Sequence, residues 1–82
     1  MTITAQISNF YKVNDIYLIN LALLNKHAVS NFDAKYFLRK NKNEIKEIQK
    51  LIKTEQYDSE EIENFESIIF AFKEISKAKT KN

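Results

Sequence analysis

Chemistry in this chain would have to come from very few side chains. His27 is the only histidine and there is no cysteine, so His27 is the one group whose ordinary pKa suits a general base near neutrality. Nucleophilic catalysis needs a Ser or Cys beside such a base. His27 falls instead near the end of a helical segment, where a C-terminal cap role explains it. The carboxylate sets Glu44/Glu47 and Glu60/Glu63/Glu66 sit on charged helical surfaces rather than in a pocket able to shift their pKa. No His, Cys and Asp spacing suggests a metal site. Gly and Pro are both absent, which removes the Gly-rich phosphate cradles of P-loop and dinucleotide folds. The segment Asp58-Ser59-Glu60-Glu61 has the look of a phosphorylation site, but a helix cap followed by first-turn acids explains the same residues. The expectation is a non-enzyme with no catalytic residues, no cofactor and no metal.

What remains is recognition. Lys35, Arg39, Lys42, Lys46, Lys50 and Lys53 project within about an 80° sector of one helix, at 100° per residue, and span roughly 27 Å. Such a row offers a rail for phosphates or for an acidic protein surface. It is also what a solvated lysine face looks like, with Glu47 and Glu55 compensating from other sectors. Nucleic acid is the less favoured partner. Arg39 is the only arginine, and arginine is the residue suited to bidentate base and phosphate contacts. The balance of 13 basic against 11 acidic residues, net +2, does not imply nucleic acid by charge alone. Any such binding would be nonspecific and strongly salt-dependent.

The elements that position these residues read as helices. A chain of 82 residues is one domain near the lower end of what folds unaided, and without Cys it lacks disulfide staples and suits a reducing compartment. The absence of Gly and Pro argues for helices joined by short polar links. No signal-peptide pattern is visible, and the longest apolar run is far short of the ~20 residues that cross a bilayer; a cytoplasmic protein without membrane partners is expected. The spacing predicts an all-α fold, an antiparallel three-helix bundle. Its parts are an N-terminal arm or short extra helix over residues 1–13, a central helix over 14–28, a long basic helix over 31–55 and a C-terminal helix over 59–79. Asn14-Asp15, Ser30-Asn31-Phe32-Asp33 and the acids after Ser59 supply the caps. Residues 2–8 fit both strand alternation and helical spacing, and a strand would imply pairing with another chain.

The three helices differ in their faces. Ala34, Leu38, Asn41, Ile45, Ile48 and Ile52 form a heptad-like seam. The polar Asn41 within it is either locally hydrogen-bonded near the surface or buried so as to fix register. Ile62, Phe65, Ile68, Ile69, Phe72 and Ile75 form a broad apolar face, with Phe70 almost opposite among Glu63, Glu66, Glu74 and Lys77. An aromatic there is a candidate contact point, although single exposed apolar residues are common. The run Ile16-Tyr17-Leu18-Ile19-Asn20-Leu21-Ala22-Leu23-Leu24 is apolar all round, and a helix of that kind is expected to be buried all round. Two neighbours can sandwich it only in part, so either the N-terminal segment or a second subunit should cover the rest. Tyr17, Leu18 and Leu21 are the candidates for that core or homodimer face.

Residues 14–48, NDIYLINLALLNKHAVSNFDAKYFLRKNKNEIKEI, resemble small helical proteins of phages of low-GC bacteria. In these a short apolar helix leads through a polar link with Ser into a long Lys- and Glu-rich helix. Twelve lysines against one arginine, with many Ile and Asn, is the composition of an AT-rich genome. The resemblance covers under half the chain. It implies a phage or mobile-element protein acting by binding: an inhibitor of a host defence nuclease, as anti-CRISPR proteins are, an adaptor on a host complex, or a virion assembly factor.

Overall fold

Thr2 starts the first helix: its side-chain oxygen accepts the Ala5 N–H at 3.1 Å, satisfying a donor that a helix start leaves unpaired. This helix, α1, is Ile3–Val13 and buries Ile3, Ile7 and Phe10. Helical spacing therefore prevails over strand alternation in the N-terminal stretch. The structure is a computed structural model that describes residues 2–55 and 59–78. After α1 come α2 (Ile16–Leu24), a short 3-10 turn (Lys26–Ala28), α3 (Asn31–Lys40), α4 (Lys42–Glu55) and α5 (Glu60–Lys77). Three caps stand where the sequence places them. Asp15 accepts from the Tyr17 N–H at 3.0 Å, Ser30 from the Asp33 N–H at 3.0 Å and Ser59 from the Ile62 N–H at 3.3 Å. The protein is all-helical, with no strand among the described residues. Among the described residues there are five α-helices, where three with an N-terminal arm or short extra helix were expected. The expected link at 56–58 lies outside the described residues, and the C-terminal helix, expected to end near Lys79, ends at Lys77.

The central element is α5. All six residues of its apolar face are buried, and α1, α2 and α3 pack on it. Asn31, in the first turn of α3, donates from its side-chain amide to the Ile75 and Ala78 carbonyls at the end of α5. Phe37 stacks on Phe72 at 3.9 Å, so α3 and α5 run antiparallel. Phe10 brings α1 into the same cluster, edge-on to Phe37 at 5.8 Å and to Phe65 at 5.4 Å. The edge-to-face contacts of Phe10 add to what ring burial alone contributes.

The long basic helix is two helices joined at Asn41. Its backbone there turns to φ −103°, ψ 12°, away from the helical −63°, −42°, while hydrogen bonds from Asn41 N to Phe37 O and from Ile45 N to Asn41 O persist at 3.1 and 2.8 Å. The cause is a side-chain pair. Asn41 is buried at 7% exposure, and its amide donates to the Phe37 carbonyl at 2.9 Å and to Asn14 Oδ1 at 2.9 Å. The Asn14 amide returns the bond to Asn41 Oδ1 at 3.2 Å and caps the Phe10 carbonyl at 2.8 Å. Two helix ends, those of α1 and α3, are thereby closed by one reciprocal amide pair.

The apolar run is not buried all round. Within α2 only Ile19 and Ala22 are buried. Leu18 and Leu21 are half-buried against the core, whereas Ile16, Tyr17, Leu23 and Leu24 are exposed, Leu24 at 86%. The reason is geometric. The fold measures 43 × 20 × 20 Å, about two helix diameters deep, so every helix keeps an outer side. The N-terminal segment, one of the two covers expected for α2, packs on α4 and α5 instead. It follows that Leu21→Ala should cost about 1–2 kcal/mol, below the range for a fully buried Leu. Leu24→Ala should stay within about 0.5 kcal/mol, as surface changes do. Urea titrations of the two variants check the contrast.

Candidate functional site

The basic row survives the kink. Lys35, Arg39, Lys42, Lys46, Lys50 and Lys53 are all exposed, four falling on the α3–α4 junction and two farther along α4. They do not stand on a plain convex surface. Lys35 and Arg39 of α3, Lys42 and Lys46 of α4 and Lys73 of α5 ring one open groove of about 470 Å³. Its apolar base is the half-buried Leu38 and the buried Ile45, and no carboxylate lines it. A neighbouring concavity shares Lys46 and continues with Lys50, Lys53 and Ile52, with Glu66 of α5 on its far side. All six stripe residues therefore line two adjoining depressions between the kinked helix pair and α5.

The seam supplies the base of this groove and the stripe its rim. The two sectors follow from the 3.6-residue period, which sets Leu38 and Ile45 inward while Lys35, Arg39, Lys42 and Lys46 turn out. The kink at Asn41 then bends the rail at its middle. Lys73 was missed as a site residue. The sequence shows it only as one of several lysines near a helix C-terminus, and its place on the groove's rim depends on α5 packing against α3.

The other candidates lie apart. Phe70 is exposed at 63% on the outer side of α5, as its position opposite the apolar face required. Tyr17 is exposed, and Leu18 and Leu21 are half-buried against the core. The terminating residue of α2 is Asn25, whose N–H reaches the Leu21 carbonyl at 2.8 Å, so His27 does not end that helix as expected. It stands exposed on the 3-10 turn and lines a separate cavity of about 510 Å³ with Lys26, Glu74 and Lys77.

Two buried polar atoms lack a partner among the described residues, Tyr11 Oη and Glu44 Oε1. The Asn14–Asn41 pair sets α1 against α4, and Thr2 and Ile3 share a small cavity with Glu55 at the far end, so these helices are antiparallel. Tyr11 precedes Asn14 by three residues and Glu44 follows Asn41 by three, which brings both to the same level of the interface. Burial pushes the Tyr11 hydroxyl up from the usual 10.0, keeping it protonated and a donor at neutral pH.

Among the described residues no three His, Asp or Glu side chains gather as metal ligands, and no helix is long and apolar enough to cross a membrane. What the geometry offers is a cation-rimmed groove with an apolar base, suited to an anionic partner that also carries apolar side chains. The chain matches no protein-family model, no curated protein and no solved structure.

Proposed function

We propose that this chain is a non-catalytic binding module that docks an acidic segment of a larger protein in the groove between α3–α4 and α5. The observation that carries the reading is the composition of that groove: five cations and no carboxylate around Leu38 and Ile45. Carboxylates of a bound segment would meet the rim, and an apolar side chain would cover the base and exclude water, which strengthens each ion pair. In the phage or mobile-element setting that the resemblance implies, the partner is a host complex such as a defence nuclease. The chain then acts as inhibitor or adaptor in the bacterial cytoplasm.

The second reading is a nonspecific nucleic-acid binder, supported by the continuation of the cations from Lys46 to Lys53. Against it, the groove is lined by no aromatic side chain on which a base could stack, and phosphates gain nothing from an apolar base. Lys42→Glu, Lys46→Glu and Lys50→Glu together separate the readings, since all three are exposed and their loss should leave the fold intact. The protein reading expects affinity for a partner captured from host extract to fall by on the order of tenfold to a hundredfold. Gel shifts with duplex DNA should be weak and vanish at moderate salt. DNA binding that is tight at low salt, collapses with salt and is abolished by the triple substitution, with no protein partner lost, would support the second reading instead.

A further inference from the structure

The exposed residues of α2 do not scatter. At 100° per residue, Ile16, Tyr17, Asn20, Leu23 and Leu24 fall within a sector of about 120°. All five are exposed, while Ile19 and Ala22, opposite, enter the core. No charged residue stands between Asp15 and Lys26. Apolar residues exposed singly are ordinary; four on one face of a nine-residue helix form a contiguous patch of the kind that marks an interface.

The order of residue types about Asn20 decides what can cover this face. Ile16 and Tyr17 lie four and three residues before it, and Leu23 and Leu24 lie three and four after it. Apolar pairs thus stand at equal steps on either side of one amide. When a helix of this pattern packs antiparallel on its own copy, Ile16 and Tyr17 of one meet Leu23 and Leu24 of the other, twice over, as an isologous interface requires. The two Asn20 amides meet at the axis, where each can donate and accept. The same reciprocal bonding joins Asn14 to Asn41 within the chain. We propose that two copies of this chain associate through α2, antiparallel, about a twofold axis at Asn20. The face is smaller than the ~800 Å² per partner of a standard interface. The dimer is accordingly weak and reversible, with a dissociation constant of roughly 10–100 μM.

Sedimentation equilibrium from roughly 10 μM to 1 mM tests this. The wild-type mass should climb toward that of a dimer, and Leu24→Glu should hold it at the monomer while far-UV circular dichroism is unchanged. The chain has no cysteine, so single replacements report the register. Asn20→Cys should oxidise to a disulfide-linked dimer. Ile16→Cys should not, its two copies being roughly 12 Å apart along the antiparallel helices, beyond the reach of a disulfide. A mass fixed at the monomer to 1 mM, a dimer indifferent to Leu24→Glu, or equal cross-linking of the two cysteine variants would each overturn the pairing. A monomer that instead floats with phosphatidylglycerol vesicles would overturn it too and give the face to a lipid surface.

Discussion

Replacing Phe10 by Ala should cost about 3–5 kcal/mol, the range for truncating a buried aromatic, and lower the melting temperature by roughly 15–30 °C. Phe10 is fully buried and touches three rings, those of Tyr11, Phe37 and Phe65. Its helix otherwise buries Ile3 and Ile7, with Tyr11 partly buried against the core, so the loss falls on the contact that joins α1 to both α3 and α5. A domain of this length has a total stability of roughly 5–10 kcal/mol, so the variant should lose about half of it and unfold well below the wild-type melting temperature. Phe70→Ala is the control. It removes a ring of the same size from the outer face of α5, where 63% of the residue is already exposed, and should shift stability by no more than about 0.5 kcal/mol. Thermal and urea unfolding followed by circular dichroism check both. A loss below about 1 kcal/mol for Phe10→Ala would mean that α1 does not pack as described.

The contrast between these two phenylalanines was legible in the sequence for one helix and not for the other. Along α5, six apolar residues at three- and four-residue steps with charges between them admit one inward face, and all six are buried. The N-terminal stretch is short enough that period 2 and period 3.6 both fit Ile3 and Ile7. Only Phe10 and the Thr2 cap tip the balance, and each needs the helix to exist before it counts. For α2 the inference from composition failed for a different reason. An apolar helix states what it could bury, but how much it does bury is set by its neighbours, and a fold about two helices deep leaves it one open side. The cationic rim was readable by angle alone from Lys35 to Lys53. The groove was not, because Lys73 and the apolar base become one site only when α5 is placed beside the kink.

The kink itself supports the second large effect: Asn41→Ala should cost about 2–4 kcal/mol, more than most single hydrogen-bond deletions. The side chain is buried, so its removal takes away its bonds to Phe37 O and Asn14 and leaves the Asn14 amide half-buried with one partner fewer. The Phe37 carbonyl keeps the Asn41 backbone N–H at 3.1 Å, which limits the damage. Asn14→Ala should cost less, about 1–2 kcal/mol, since Asn14 is only partly buried. Because each amide serves the other, the two losses should not add. A double-mutant cycle should return a coupling of about 1–2 kcal/mol, and additivity within 0.5 kcal/mol would show that the pair is not formed in solution. Asn14→Leu with Asn41→Leu probes what the pair is for. Removing both partners leaves no orphaned amide, so stability should recover most of the loss seen with Asn41→Ala. Nothing would then compete for the Phe37 carbonyl, and α3 and α4 are free to straighten into the continuous helix that the seam Ala34, Leu38, Ile45, Ile48 and Ile52 would otherwise specify. A straightened helix realigns Lys35 and Arg39 relative to Lys42 and Lys46. The double-Leu protein should therefore stay folded while losing groove binding, and an unchanged groove affinity would show that the bend has no part in recognition.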